Sequence, residues 1–197
     1  MKNSYYKTKE SVDEYIKLAE DVNGKDLIKK LNDFLPAGSL LLEIGSGPGT
    51  DWEILNVQYN VVGSDNSSEF LSRLQTNNPL GEFLLLDAIT LDIDRQFNGI
   101  YSNKVLHHLK DNELLDSIKR QAEVLNPGGV ICHSFWKGKG SEIFKGLFVN
   151  YHTKSSIKKI FDAHFDILLL EEYKEFEDGD SLLLIARLII KDHSARY

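Results

Sequence analysis

Three glycines at alternate positions, Gly45, Gly47 and Gly49, follow directly on the apolar run LLLEI at 40–44. Glycine loses more conformational entropy on folding than any other residue, so three within five positions need a reason. A strand that turns at once into a helix leaves free N–H groups and partial positive charge facing whatever lies over the strand end. Side chains in that turn would block a ligand, and a bare turn needs only one glycine. The loop therefore reads as cleared for a ligand. Acids flank it. Glu43 comes just before, and Asp65 ends the next apolar run, VVGSD at 61–65, twenty residues beyond Gly45. That spacing brings a carboxylate to the hydroxyls of a ribose. The dinucleotide fingerprint is G-x-G-x-x-G, whereas here the third glycine comes one residue early, which argues against a dinucleotide and leaves an adenosine-type ligand.

Two further apolar runs end in polar residues: FLLLD at 83–87 in Asp87, and GIYSN at 99–103 in Asn103. Each has a plainer reading, Asp87 in an Asx-turn and Asn103 as a turn cap. His107 and His108 follow Asn103 closely, and histidine titrates near neutrality. His108 is the candidate for a catalytic or substrate-contacting role. His133 and Cys132 lie inside the apolar run VICHSF and read as structural.

These residues need elements to hold them. Ser11 and Glu14 have capping-box spacing and open a helix over 12–20. Leu27, Ile28, Leu31, Phe34 and Leu35 mark one face of a second helix. Thr50 and Glu53 repeat the capping-box spacing after the glycines. Phe70, Leu71 and Leu74 line a helix that stops at Asn77-Asn78-Pro79. Asp111 caps another with Leu114, Leu115, Ile118, Ala122 and Leu125 on its face, stopped by Asn126-Pro127-Gly128-Gly129. Residues 137–152 break the rhythm, a helix follows at 154–163, and two strands, FDILLLEEYKEF and SLLLIARLII, close the chain around an Asp-Gly hairpin signal. Strand–helix alternation five times over implies an α/β fold, a doubly wound, mostly parallel seven-stranded sheet with a C-terminal antiparallel hairpin. Ligands in such sheets bind at the carboxyl ends of the strands, where the polar residues above lie.

The 197 residues suit one domain, and a net charge of −7 speaks against a nucleic-acid platform that works by counterion release. A single cysteine rules out an intramolecular disulfide and a cysteine-rich metal site. The opening residues MKNSYYKTKESVDEY carry no apolar signal-peptide core, and no stretch reaches the roughly 18 apolar residues of a membrane span. The expectation is a cytoplasmic protein with no nucleic-acid or membrane partner and no metal.

EIGSGPG, VVGSD, LLLDA, IYSNKVLHHL and VLNPGGVICHSFW, in that order, resemble the successive motifs of class I S-adenosylmethionine-dependent methyltransferases, closest to the small methyltransferase type 11 group. The resemblance covers residues 39–135 in motif detail. It implies a Rossmann-like methyltransferase fold, S-adenosyl-L-methionine as cofactor, and S-adenosyl-L-homocysteine as product. It places Glu43, Gly45, Ser46 and Gly47 against the amino-acid end and ribose of the cofactor. Asp65 takes the ribose hydroxyls with Asn66 beside the adenine, Asp87 and Ala88 flank the adenine ring, and Asn103 lies near the sulfonium. Tyr6 or Tyr5 closes over the cofactor as N-terminal aromatics do in relatives. The chain divides into N-terminal helices or cofactor lid (1–38), cofactor-binding core (39–135), substrate lid and helix (136–164) and closing hairpin (165–191). The expected activity is methyl transfer by in-line displacement to an oxygen or nitrogen of a small molecule. A non-catalytic cofactor-binding module and a nicotinamide-dependent oxidoreductase are the competing readings.

Overall fold

Apolar residues at adjacent positions of the same strand serve opposite faces of one sheet. In the computed structural model, which describes residues 8–18 and 22–190, strand β1 (Leu40–Ile44) lies between β2 (Asn60–Asp65) and β4 (Phe97–Ser102). Leu42 and Ile44 point into one core, and Leu41 into the other. The full sheet adds β3 (Glu82–Leu85), β5 (Leu125–Trp136), β8 (Phe165–Tyr173) and β9 (Ser181–Leu188), in the order β3-β2-β1-β4-β5-β9-β8. The first five strands run parallel, and β9 pairs antiparallel with both β5 and β8. The order reverses at β1, so the crevice between the ends of β1 and β4 is where a ligand fits.

Helices cover both faces, as continuous apolar strands require. On one side α5 (Asp111–Val124) and α6 (Lys154–Phe161) pack Leu114, Ile118, Ile157 and Phe161 on Ile100, Ile131, Phe135 and Leu184. On the other, α2 (Lys25–Leu31) and α3 (Thr50–Leu55) pack Leu27, Leu31, Trp52 and Leu55 on Leu41, Tyr101 and Ile185. Each fully buried side chain of this kind contributes about 1.5–3 kcal/mol. Helix α4 (Ser68–Asn77) packs against β2 and β3, and α1 (Lys9–Leu18) packs on α4, with Tyr15 over the glycine loop after β1.

The seven strands and their mixed direction are as expected, and several boundaries differ. Helix α1 starts at Lys9, because Thr8 and Ser11, rather than Ser11 and Glu14, exchange backbone-to-hydroxyl bonds of 3.4 and 3.3 Å. The N-cap of α3 is Gly49, at φ 94°, with no side-chain cap, so Thr50 and Glu53 form no capping box. Lys110 rather than Asp111 caps α5, its N–H donating to Glu113 Oε2 at 2.9 Å. Asn126 to Gly129 do end α5, but the chain re-enters the sheet immediately: Leu125 pairs with Phe97 and Val130 with Gly99, leaving the intervening residues as a bulge. The irregular stretch holds a small hairpin, β6 (Ser141–Phe144) and β7 (Leu147–Asn150), turning at Lys145 and Gly146, both at positive φ. The β8–β9 connection is longer than a two-residue turn, since the Asp180 carboxylate gathers the N–H groups of Glu175, Phe176 and Glu177.

Candidate active site

The glycine loop is a set of positions where a side chain has no room or no allowed backbone. Gly45 has φ 73°, and a Cβ there would come within 2.5 Å of Val105. Gly49, at φ 94°, faces Leu74 at 2.3 Å in the same sense. Gly47, at φ 50°, has only the Tyr15 ring nearby, 3.9 Å from where its Cβ would stand. So two glycines let the turn pack, and the middle one leaves an open slot under Tyr15. Tyr15 meets Phe70 edge-on, ring centres 5.8 Å apart.

Asp65 faces that slot. Its Oδ2 accepts from the Gly47 N–H at 3.0 Å, and its Oδ1 from the Ser67 N–H at 2.8 Å. Burial lifts its pKa above the ordinary carboxylate value, against the pull of the Gly47, Ser67 and Asn66 N–H groups. Each carboxylate oxygen accepts two bonds, which leaves capacity for a diol. Ser67 caps α4 by accepting from Phe70 N, so Asp65 has no capping duty. The cavity beside it is lined by Gly45, Gly47, Asp65, Asn66, Ala88, Asn103 and His108, seven of the residues singled out from the sequence. Ile44, Phe70, Leu86, Val105 and Leu109 give it apolar walls.

Three expected residues stand elsewhere. Glu43 and Ser46 are buried beneath the loop: the Ser46 hydroxyl donates to Glu43 Oε2 and accepts from the Ser64 N–H at 3.1 Å. Burial first, then repulsion from Asp51 and Asp65, pushes the Glu43 pKa up to about 8. Glu43 is thus a protonated brace for the turn at neutral pH. Asp87 is exposed, two residues past the end of β3, and its Oδ1 accepts from the Ile89 N–H at 2.7 Å in the Asx-turn that was its plainer reading. Tyr6 and Tyr5 lie outside the described residues.

Asn103 is held at both ends of its amide rather than capping a turn. Its Nδ2 donates to Asp51 Oδ2 at 3.0 Å and its Oδ1 accepts from the Ser134 hydroxyl. Asp51 also receives the Tyr101 hydroxyl at 2.7 Å and the Gly24 N–H at 2.6 Å. His108 sits in the 3₁₀ turn Leu106–His108, and its Nδ1–H donates to the Phe148 carbonyl of β7 at 2.8 Å. Burial holds its pKa below the usual histidine value, the Phe148 bond opposing, so the ring is neutral at pH 7. His107 beside it is buried, its pKa pushed well down by burial and by His108, Lys104 and His152. Sequence reasoning missed Tyr15, Phe70, Asp51 and Lys104. An aromatic on the first helix and an acid in the first turn after the glycines were the available signals for Tyr15 and Asp51. Among the described residues no group of three or more His, Cys, Asp or Glu is placed to hold a metal.

A carboxylate over a cleared loop with apolar walls fits an adenosine-bearing cofactor. Residues 41–129, which run from β1 into β5, match the family described as "Methyltransferase domain". Trans-aconitate 2-methyltransferase of Variovorax paradoxus is 34% identical over 102 residues, 50% of this chain and 39% of that protein. The 2-methyl-6-phytyl-1,4-hydroquinone methyltransferase of Synechocystis is 24% identical over 77% of this chain and 48% of its own length. The chain therefore spans less than half the length of these curated relatives. Among solved structures, the fold matches Burkholderia thailandensis 1,6-didemethyltoxoflavin-N1-methyltransferase, solved with S-adenosylhomocysteine, at TM-score 0.76 and 20% identity, covering 91% of this chain and 84% of that one. It also matches N-methyltransferase NodS of Bradyrhizobium japonicum, at TM-score 0.71 and 17% identity over 94% and 98%. Residues 41–129 thus match a methyltransferase domain family, and the order of the sheet is a fold shared with the matched methyltransferase structures.

Proposed function

We propose that the protein transfers the methyl group of S-adenosylmethionine to an oxygen or nitrogen atom of a small molecule. The observation that carries this is Asp65, half-buried at the end of β2 and aimed at the glycine loop through the Gly47 N–H. When bound, S-adenosylmethionine supplies a methyl on a positively charged sulfur, already activated for displacement. The work left to the chain is to bind and align. Asp65 holds the ribose by charge-assisted hydrogen bonds, Asn66 and Ala88 border the base, and Asn103, fixed by Asp51 and Ser134, borders the reacting end. Tyr15 and Phe70 cover the slot and keep water out. Alignment of this kind is worth up to about 7–11 kcal/mol. His108 lines the same cavity and is placed to meet the acceptor.

Support for a small acceptor comes from the cavity's position between the glycine loop and the 3₁₀ turn, and from the net charge of −7, which disfavours a polyanion. The acceptors named for the matched proteins, trans-aconitate, 2-methyl-6-phytyl-1,4-hydroquinone and 1,6-didemethyltoxoflavin, are small molecules of unlike charge and ring chemistry. They support the class and no single member of it. No helix among the described residues is long and apolar enough to cross a membrane. The test is a screen of small-metabolite pools with methyl-labelled S-adenosylmethionine. Label should appear in a low-molecular-weight product, and no transfer to any pool while the cofactor binds would favour a non-catalytic module.

A further inference from the structure

The amine of Lys104 is largely enclosed by the ends of β5, β8 and β9. Lys104 follows Asn103 with φ 55°, a left-handed backbone held by its own N–H donating to Ser134 Oγ at 2.9 Å. It lines the same cavity as Gly45, Gly47 and Asp65. Its side chain, only 13% exposed, then runs toward the ends of β5 and β9. There Nζ donates to the Phe135 carbonyl at 3.2 Å and to Ser181 Oγ at 2.6 Å. The Trp136 ring centre is 3.5 Å away, that of Tyr173 is 5.3 Å away, and Glu175 Oε2 is at 4.0 Å. Phe176 stacks on the outer side of Trp136, and the Tyr173 hydroxyl donates to Glu175 at 2.8 Å. The titratable groups around the amine are thus Glu175 and Asp180 from the β8–β9 loop, Tyr173 from β8 and His107 from the 3₁₀ turn.

Burial dominates over the two acids and brings the Lys104 pKa down to about 7. Much of it is free amine at neutral pH. A neutral amine keeps two N–H donors, which match the two acceptors present, and gains a lone pair. Once protonated, it has an aromatic face and a carboxylate to receive the charge. His108 Nδ1 donates to the hairpin, and burial holds its pKa below the usual histidine value.

We propose that Lys104 is the proton acceptor of the methyl transfer. This rests on the methyltransferase reading above and deepens it, since it makes the acceptor group one that carries a proton, a hydroxyl or a neutral amine. As the bond from that oxygen or nitrogen to the methyl carbon forms, the sulfur–methyl bond breaks and its electron pair stays on sulfur. The acceptor's proton passes to the lone pair of Lys104 Nζ. The positive charge lost at sulfur reappears as an ammonium over Trp136 and beside Glu175.

The test needs no acceptor. The two tryptophans are Trp52 and Trp136, so a Trp52→Phe chain reports on Trp136 alone. Its fluorescence should titrate with a midpoint near 7 that Lys104→Met removes. S-adenosylmethionine should lower the midpoint by about one unit, the effect of one charge roughly 10 Å away at an effective dielectric of about 20, and S-adenosylhomocysteine, which lacks that charge, should not. Lysine Nζ NMR on the unmutated chain, assigned with Lys104→Arg, gives the same reading if either variant fails to fold. A midpoint above 9, one that persists in Lys104→Met, or one shifted equally by both compounds overturns the proposal. If calorimetry finds neither compound bound, the methyltransferase reading falls and this proposal falls with it; binding without the differential shift overturns this proposal alone.

Discussion

Glu43, expected against the amino-acid end and ribose of the cofactor, is buried beneath the glycine loop, where the Ser46 hydroxyl donates to it and burial pushes its pKa up to about 8. That has a consequence with a definite sign. Its folded pKa, about 8, lies above the unfolded value, so the folded chain holds the proton more tightly between about 4.5 and 8. The stability this contributes is fully present at the acid end of that window and is lost as pH rises through 8. Denaturant titrations should show wild-type stability falling between pH 5 and pH 9, with that fall largely removed in Glu43→Gln. Asp65 was legible because its distance from the glycines matched a ribose, and the structure shows nothing else that employs it as a cap. Asp51 was not legible as a site residue. Its importance comes from Tyr101, Asn103 and Gly24 converging on it, and two of these are about fifty positions away. Lys104 was hidden for the same reason, since its surroundings are assembled from β5, β8 and β9.

Glycines and latches decide matters at the element scale. Gly45→Ala places a methyl 2.5 Å from Val105 at φ 73°. The strain should destabilise the chain by about 1–3 kcal/mol and loosen the 3₁₀ turn against the loop, checked by chemical unfolding. The β6–β7 hairpin is joined to that turn by His108 Nδ1 and to α5 by Asn150 Nδ2, which donates to Asp111 Oδ1 at 2.8 Å. His108→Ala should raise amide exchange across 141–150 while leaving β1 and β4 protected, which hydrogen exchange by mass spectrometry can read. The strands themselves were legible, because runs such as LLLEI and SLLLIARL are apolar at every register when both faces are covered. The hairpin within 137–152 was not. Residues 141–144 are exposed on both faces and show no apolar alternation, so pairing with β7 and the Lys145-Gly146 turn alone define them. Asn126-Pro127-Gly128-Gly129 likewise reads as a loop, and only the partner strand β4 makes it a bulge.

At the scale of the whole molecule, one reversal of strand order creates one crevice, and the parts of the candidate site hang from its two sides. β1 and β2 supply the glycines and Asp65; β4 and β5 supply Asn103, Lys104 and Ser134; α1 and α4 supply the cover. Five ordered motifs made that arrangement readable, because each lies at the carboxyl end of a parallel strand and the fold rule gathers those ends. The surroundings of Lys104 were harder to read, as Ser181, Tyr173 and Glu175 come from the closing strands and their loop, whose sequences carry no shared pattern of polar residues. The central claim is that this crevice grips the ribose of S-adenosylmethionine through Asp65. Isothermal titration of the cofactor into the wild-type chain and into Asp65→Ala tests it most directly. Wild type should bind at about micromolar strength, and the variant about 10- to 100-fold more weakly, as loss of charge-assisted bonds worth roughly 1.5–3 kcal/mol requires. No heat in the wild type, or equal affinity in the two chains, would contradict it.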